Sequence, residues 1–491
     1  MDEMKNESVL NETTGVGDSR TQERAQPSRQ RPQRRRKSKQ EIFKEKYLPR
    51  IIMGIAGVLI LFFIIGSITR SVQKHHIVQA ASIAASESVA AEEARLSAEI
   101  SQILTDAQAL AAHYDYDGAI ERIDSFSGNI GGYPELQDAR TSYLQSKSAL
   151  VPWEDPNAII NLSFQTLIAD TARAYTHEEY GSSMQRNFIS VSEFQKILER
   201  LYENNYILVG LKDFIETSTS TTGQPTYQYK ELLLPEGKKP LVLTQTNVNY
   251  SLYLVDSNED MLPDEGGVGI ASKMLLNSDG SITCEMVDAE GNTVTGAYDL
   301  VPILDTFVAQ HPDFSYRGAK AVLALTGYNG LFGYRTQPDG REKFGEETYN
   351  SNVAAVQELA NALKKSGYEL GCYTYDNKPY GVFSLSEIQA DMSKWNDEVV
   401  PILGELDVIV FAQNSDINSG MLYSGEKYEY LKSIGFNYFL GFCSEGSPFT
   451  FIAEEYVRQG RLMVTGENLI HHSDWYDAIF DTEGLLDETR T

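Results

Sequence analysis

The longest uninterrupted apolar run lies near the start of the chain. Residues 51–68 (IIMGIAGVLILFFIIGSI) carry no charge, and their length suits a hydrocarbon core about 30 Å thick. Basic residues flank the run, with Arg50 before it and Arg70 after it. This pattern predicts a transmembrane helix over residues 51–70. A cleaved signal peptide is the alternative, because small residues follow at 80–85, but the run exceeds an ordinary signal core in length.

The segment before the apolar run is basic, whereas the rest of the chain is acidic. Residues 1–50 hold thirteen Lys and Arg against eight Asp and Glu, so the net charge of −27 leaves −32 on the remainder. The polar composition predicts that residues 1–50 are a disordered tail. The basic run at 29–39 (RQRPQRRRKSK) favours a cytoplasmic tail and an extracellular C-terminal domain. We expect no nucleic acid partner, although such runs also occur in nucleic-acid-binding tails.

Residues 71–150 have a helical composition. The first part is rich in Ala, Ser, Glu and Leu without Gly or Pro, which predicts a helical stalk that continues the membrane helix. Residues 100–150 resemble one tetratricopeptide-type helical hairpin, with a break at 128–134. A lone hairpin of this type needs a neighbour to bury its faces. Packing on the stalk or on the next domain is therefore favoured, while a protein partner at the hairpin or the tail stays open.

The pattern changes after a linker at residues 151–156. Short apolar runs rich in β-branched residues alternate with amphipathic segments. The clearest strand is residues 241–244 (LVLT), and the clearest helix is residues 191–206 (VSEFQKILERLYENNY). Repeated βα units predict parallel strands with helices outside, hence an α/β fold that is either a barrel or a doubly wound sheet.

Two segments interrupt this alternation. Turn signals at 277–280 (NSDG) and 288–292 (DAEGN) predict a small antiparallel β insertion at about residues 255–300. The Ser/Thr-rich segment 217–226 is interpreted as an exposed loop.

The residues that follow the clearest strand carry no charged or strongly nucleophilic side chain. In α/β folds, functional side chains gather at the carboxyl ends of the strands. Here residues 245–249 (QTNVN) are neutral, and none is a good metal ligand or general base. The seven histidines form no HxxxH or HExxH motif, and the three cysteines lie far apart. We expect the cysteines to be buried free thiols rather than disulfides or zinc ligands.

Within residues 157–491, four stretches resemble the polysaccharide deacetylase family, especially its membrane-anchored members in Gram-positive bacteria. They are residues 189–214, 240–250 (PLVLTQTNVNY), 298–336 and 428–442 (YEYLKSIGFNYFLGF). The resemblance implies a distorted (β/α) barrel with its groove at the carboxyl ends of the strands. Such enzymes use one Asp and two His to hold a zinc-type metal, a neighbouring Asp as general base, and a late His as acid.

This chain departs from the family pattern at the positions of those residues. The acidic pair aligns with Thr246 and Asn247, and the two imidazoles of the second motif align with Tyr373 and Asn377. An early His appears as Gln165, and the third motif aligns with residues 411–417. Only the late motif survives in part, as LIHHSDW with His471 and His472. These departures therefore predict no catalytic residue and no bound metal or other cofactor.

Three hypotheses follow. The first is a membrane-anchored cell-surface protein whose inactive deacetylase-like domain binds or organises cell-wall glycan, such as peptidoglycan or its attached polymers. The expected glycan-binding side chains are Asn247, Asn249, Tyr328, Tyr373, Tyr375 and Asn377. The second is a working hydrolase with zinc held by unusual ligands, for which Asp376, Asp416 and His471 are candidates. The third is a signalling or assembly protein whose basic tail contacts anionic lipid, nucleic acid or a partner.

Overall fold

A computed structural model describes residues 39–418 and 420–490, so the predicted tail at 1–38 lies outside the described residues. The helix Lys39–Lys46 precedes the long helix Leu48–Ala112. Phe43–Ala112 is the one stretch of helix, among the described residues, that is long and apolar enough to cross a membrane. Contacts divide the chain into two compact units, with the boundary between Ala94 and Arg95.

The second unit begins with a helical hairpin. Tyr116–Asp124 and Pro134–Ser148 are its helices, joined through the short 3-10 helix Ile130–Gly132. Asp115 caps the first of them by accepting a hydrogen bond from the backbone of Gly118, as N-cap residues do. A small apolar core joins this hairpin to the end of the long helix, where Ile103 and Ala107 pack with Ala119, Ile123 and Leu136.

The hairpin is held against the domain that follows it. The backbone N–H of Arg317 donates to the carbonyl of His113 at 2.7 Å. The Arg317 guanidinium also lies 2.9 Å from Asp117 and 3.6 Å from Asp115. Packing on the next domain is one of the two arrangements that the sequence favoured over peptide binding.

Seven parallel strands close into a barrel. In chain order they are β1 Ile160–Phe164, β2 Lys239–Thr246, β3 Ala321–Leu325, β4 Glu369–Cys372, β5 Val408–Val410, β6 Tyr438–Phe442 and β7 Val457–Met463. Each strand pairs with the next, and β7 returns to β1 through Leu462 beside Leu162. The closed circle confirms the predicted (β/α) barrel and excludes the doubly wound alternative.

The remaining elements surround the barrel or decorate it. The helices are Thr171–Thr176, Gly181–Asn187, Val191–Glu203, Leu252–Val255, Leu300–Gln310, Pro338–Lys365, Leu385–Glu398, Val400–Leu403, Glu426–Ser433 and Gly466–His471. The short 3-10 helices are Pro156–Ala158, Pro312–Phe314, Tyr316–Gly318, Ala412–Asn414 and Ser473–Trp475. Tyr206–Leu208 runs parallel to β2, and Phe449–Ile452 runs antiparallel to β7.

Three small antiparallel sheets lie outside the barrel. Val151–Pro152 pairs with Leu233–Leu234. Lys273–Leu276, Ile282–Val287 and Thr293–Gly296 form a three-stranded sheet within the expected insertion. Ile215–Thr219 pairs with Pro225–Tyr229, so both ends of the segment predicted as a loop are strands, and only residues 220–224 form a turn between them.

Alternation along the strands separates an outer core from a barrel interior. On β2, Leu241 and Leu243 pack outward against the helices, whereas Val242 belongs to the inner cluster. The lower interior is apolar, with Val322, Val408 and Val457. Polar residues replace aliphatic ones toward the carboxyl ends of the strands. We call this end of the barrel its mouth, and its polar side chains make it the candidate functional site.

Two carboxylates lie at the opposite, N-terminal end of the barrel beside a cavity of about 440 Å³. Glu369 accepts a hydrogen bond from the N–H of Leu211 at 2.7 Å, and Asp213 accepts one from Gly210 at 2.7 Å. Burial raises the pKa of Glu369 to about 7 and also raises the pKa of Asp213. The folded state therefore holds Glu369 protonated in a pH range where the unfolded chain has lost that proton.

This difference predicts the pH dependence of stability. Because the folded pKa is raised, the free energy of unfolding should fall as pH rises from about 4.3, the unfolded pKa, toward 7, by up to about 3 kcal/mol. Glu369→Gln should remove most of this fall, since an amide oxygen can still accept from Leu211. Urea denaturation of both proteins at pH 5 and pH 8 measures the effect. Equal pH dependence in the two proteins would contradict the assignment to Glu369.

Candidate functional site

Polar side chains line the barrel interior just below its mouth. Asn161 of β1 donates to Gln459 of β7 at 2.9 Å and accepts from Thr244 of β2 at 2.9 Å. Gln459 in turn donates to Thr450 at 2.8 Å. All four residues are buried, so these hydrogen bonds offset the cost of removing their polar groups from water. The network gives the mouth a rigid polar floor.

Arg461 of β7 crosses the interior above this network and is only 1% exposed. Its guanidinium donates to the Ser163 hydroxyl at 2.7 Å and to the carbonyls of Gly441 and Phe411 at 2.8 and 3.0 Å. None of these three partners is a carboxylate, and burial lowers the pKa of Arg461. A buried guanidinium held only by neutral groups makes the floor of the mouth electropositive.

The positions that resemble the acidic pair and the early His come together at the end of β2 and β1. Thr246 is fully buried and donates to the carbonyl of Phe164 at 3.3 Å. Asn247 donates through its Nδ2 to Oε1 of Gln165 at 2.9 Å. Asn247 has a φ of 62°, a left-handed conformation that Asn tolerates better than most residues. One hydroxyl and two amides thus occupy the positions that the sequence resemblance assigned to two acids and an imidazole.

The two positions that align with imidazoles of the resembling family, Tyr373 and Asn377, both follow β4. Tyr373 belongs to the inner cluster and is 5% exposed, and its hydroxyl accepts from the backbone N–H of Gln413 at 3.4 Å. The Gln413 side chain donates to the carbonyl of Asn377 at 2.8 Å. Asn377 is left-handed, with a φ of 50°. The loops after β4 and β5 are therefore joined around Tyr373 and Asn377.

Several oxygen atoms at the mouth have no hydrogen-bond partner among the described residues. They are Oδ1 of Asn247, Asn249 and Asn377 and Oγ1 of Thr326. Leaving such a buried group unsatisfied costs about 1–3 kcal/mol each, so each one requires water or a ligand as its partner. These oxygens have almost no accessible surface, so a water or ligand can bond to them only by entering between the side chains that cover them.

Aromatic rings lie along one side of the mouth. The Tyr328 hydroxyl is 2.9 Å from the hydroxyl of Ser251, and Asn249 is fully buried beside the same serine. Burial raises the pKa of Tyr328 above its usual value, so its phenol stays neutral. Tyr253, which the sequence did not single out, lies near Tyr328 and Tyr373 and is 48% exposed.

One predicted mouth residue points elsewhere. Tyr375 packs in the outer core, and its hydroxyl donates to Glu398 of the helix Leu385–Glu398 at 2.5 Å. The chain turns at Thr374, which has a φ of 58°, so Tyr373 and Tyr375 do not share a face. The prediction that Tyr375 offers a ring to the groove is therefore wrong.

The candidate ligands of the alternative metal site are separately engaged. Asp376 pairs with Lys378 at 3.0 Å, and Asp416 forms a buried pair with Arg458 at 2.8 Å. His471 is exposed at the end of the helix Gly466–His471, and His472 stacks on Trp475 with 4.2 Å between ring centroids. Asp416, with the smallest exposure of these residues, already has a cation as its partner.

The donor set at the mouth does not fit zinc. Zinc in proteins takes Cys, His and carboxylate ligands, whereas Thr246, Asn247, Tyr373 and Asn377 supply hydroxyls and amides. In the part of the chain that the structure describes, no group of three or more His, Cys, Asp or Glu is placed to hold a metal ion.

Asp299 is a supporting residue that the sequence did not reveal. It is fully buried, and its carboxylate accepts from the N–H of Leu167, the Gln245 amide and the Tyr250 hydroxyl at 3.0, 2.6 and 2.7 Å. Burial raises its pKa. These three bonds tie the loops after β1 and β2 together and so fix the backbone that carries Asn247 and Asn249.

Comparisons with known proteins give a limited picture. No family profile matches the chain, and no curated protein matches it. Two solved structures are similar at low identity. The Streptococcus pyogenes deacetylase PplD, solved with acetate, shares 11% identity, with 64% of this chain and 98% of that chain covered and a TM-score of 0.33. BA0330 of Bacillus anthracis, classed as a polysaccharide deacetylase, shares 8% identity with this chain. The match covers 67% of this chain and 69% of that chain, with a TM-score of 0.33. The barrel itself is defined by its own strand pairings.

Proposed function

We propose that the barrel binds cell-wall glycan at its mouth without cleaving it. The observation that carries this proposal is the set of unpartnered amide and hydroxyl oxygens at Asn247, Asn249, Thr326 and Asn377. Sugars are rich in hydroxyl and amide donors, which can satisfy these acceptors. The rings of Tyr253 and Tyr328 offer apolar faces of the kind that pack on pyranose rings.

The same residues argue against hydrolysis of an N-acetyl group by the family route. That route needs a metal-bound water and a carboxylate to deprotonate it. Asn247 cannot take up a proton in this way, and Tyr373 and Asn377 are not imidazoles. The proposed module therefore needs no zinc or other cofactor, and its partner is peptidoglycan or a polymer attached to it.

Tyr373 and Tyr375 provide a matched test, because they are two residues apart and only Tyr373 faces the mouth. Tyr373→Ala should weaken retention of the full-length protein on purified peptidoglycan by about tenfold, the equivalent of 1.4 kcal/mol. Tyr375→Ala, which removes a ring that packs in the outer core, should leave retention unchanged. Thermal denaturation confirms that both variants are folded. Equal retention of the wild type and the Tyr373→Ala variant would show that the mouth is not the glycan-binding site.

We also propose that the apolar helix anchors the barrel outside the cell. The proposal is supported by the exposed apolar surface of residues 51–68 and by the positive charge that precedes them. Protease added to intact cells should remove the barrel and spare a short tail that is detected by an N-terminal tag. Cleavage of the barrel only after lysis would contradict this orientation.

A further inference from the structure

A separate cavity of about 470 Å³ lies between two segments outside the barrel strands, and this volume is within the range of small-molecule sites. One segment is the turn 177–180, which joins the helices Thr171–Thr176 and Gly181–Asn187, and the other is residues 252–267. The side chains that matter for its chemistry are Glu179, Tyr180, Leu252, Tyr253, Glu259 and Met261. Among the described residues, no lysine or arginine lines the cavity.

Two tyrosine rings form adjoining walls of this cavity. The ring centroids of Tyr180 and Tyr253 are 5.7 Å apart, and the ring planes are inclined at 59°. His177 lies against Tyr180, and its Nδ1 accepts from the backbone N–H groups of Glu179 and Tyr180 at 3.3 and 3.2 Å. These contacts place the imidazole proton on Nε2, 3.2 Å from the carbonyl of Gly266. The aromatic walls therefore contain no cation, and the face of such a ring attracts one within about 6 Å of its centroid.

Two carboxylates give the edge of the cavity a negative charge. Glu179 and Glu259 are both exposed there, one from each of the two segments. The nearby cations Arg173 and Lys343 donate to backbone carbonyls and do not line the cavity. A cleft with acidic groups at its edge raises the local concentration of cations, so the charge and the rings favour the same kind of ligand.

The loop that carries Glu259 and Met261 is held in one shape. Asp256 accepts hydrogen bonds from the backbone N–H groups of Asp260 and Met261 at 3.2 and 2.7 Å, and the buried Arg335 balances its charge. Glu259 and Met261 each have a φ of 62°, a left-handed conformation that persists in such residues only where the surrounding structure holds it. A ligand therefore meets a preformed wall, which lowers the entropic cost of binding.

We infer that this cavity binds an alkylammonium group, of the kind that a lysine side chain of a peptide presents. The aliphatic stem packs on the half-buried side chains of Leu252 and Met261. The ammonium lies over the rings of Tyr180 and Tyr253, and the two glutamates accept its hydrogen bonds. This binding goes beyond the proposed glycan function, because it uses none of the amide oxygens at the mouth and shares only Tyr253 with it.

Isothermal titration with Nα-acetyl-lysine methylamide tests the site in the full-length protein, held in a polyoxyethylene detergent that carries neither sugar nor ammonium. The wild type should bind this ligand saturably. The Nα,Nε-diacetyl form, which keeps the stem without the charge, should bind at least about tenfold more weakly. Tyr180→Leu should weaken binding of the charged ligand about five- to tenfold, whereas Tyr180→Phe, which keeps the ring, should retain it.

A second variant tests the charge without touching the core. Glu179→Gln with Glu259→Gln alters two exposed residues only and should weaken binding about tenfold, with a larger loss at low salt than at high salt. The N-acetylglucosamine tetramer should bind this variant and the wild type equally. Failure of the mouth and failure of this cavity are therefore distinguishable.

Four results would overturn the inference. The first is equal affinity for the charged and the diacetylated lysine ligands. The second is binding that neither Tyr180→Leu nor the double glutamine variant weakens. The third is equal affinity for alanine methyl ester, which has an ammonium without the stem and would assign the cavity to amino-acyl esters instead of lysine. The fourth is displacement of the lysine ligand by millimolar calcium, which would show that the carboxylates hold a metal ion.

Discussion

Replacing three residues at the mouth should turn this protein into a zinc protein. The variant Asn247→Asp, Tyr373→His and Asn377→His places one carboxylate and two imidazoles after β2 and β4, at the same end of the barrel. Such a set can hold one zinc ion with an open fourth position. Asp and His tolerate the left-handed backbone seen at 247 and 377 better than most residues do. Elemental analysis should find about one zinc per chain in the variant and none in the wild type.

A two-ligand variant is the matched control for this experiment. Asn247→Asp with Tyr373→His lacks one imidazole and should lose most of the bound zinc on dialysis. A folded triple variant that binds no zinc would show that these positions do not converge. Stoichiometric zinc in the wild type, removed by a chelator, would contradict the reading of the mouth as a site without metal.

Arg490→Ala should lower the free energy of unfolding by about 3–5 kcal/mol, because it leaves a buried carboxylate without its cation. Arg490 and Glu193 have side chains that are 1% and 0% exposed, and they lie 2.5 Å apart. Glu193 also accepts from the N–H of Ser190 as part of the capping box that starts the helix Val191–Glu203. The change therefore affects both the C-terminal segment and the start of a core helix.

Urea denaturation of the full-length protein measures this loss, and a double-mutant cycle assigns it. Glu193→Gln together with Arg490→Ala loses the same Arg490 packing but leaves no unpaired charge, so it should cost less than Arg490→Ala alone. Equal destabilisation by the single and double variants would show that lost packing, rather than the unpaired carboxylate, dominates.

The alternation of strands and helices was sufficient to predict a barrel-type α/β fold, but not to choose a closed barrel over an open sheet. Closure depends on the pairing of Leu462 in β7 with Leu162 in β1. These residues are far apart in the chain, and no local pattern encodes their contact. The hairpin at Ile215–Thr219 and Pro225–Tyr229 was missed for a different reason. Its residues are mostly exposed, so they show no apolar alternation, although Thr and Tyr favour strands.

The sequence could predict only those site residues that align with motif positions of the resembling family. The resemblance led to Thr246, Asn247, Tyr373 and Asn377, and the structure places Thr246 at the end of β2 and the other three in the loops that follow β2 and β4. Tyr375 was misassigned because the positive φ of Thr374 breaks the strand alternation, and a β-branched residue gives little warning of that conformation. Arg461 and Asp299 were missed because their burial depends on partners from distant strands and loops.

The central claim is that the mouth binds glycan and leaves it intact. The most direct measurement incubates the full-length protein with an N-acetylglucosamine tetramer that carries labelled acetyl groups, and quantifies bound oligomer and released acetate in one sample. We predict saturable binding with no acetate above a protein-free blank, and loss of binding in a folded Asn247→Ala, Asn377→Ala variant. Chelator-sensitive acetate release, or wild-type binding no greater than that of this variant, would contradict the account.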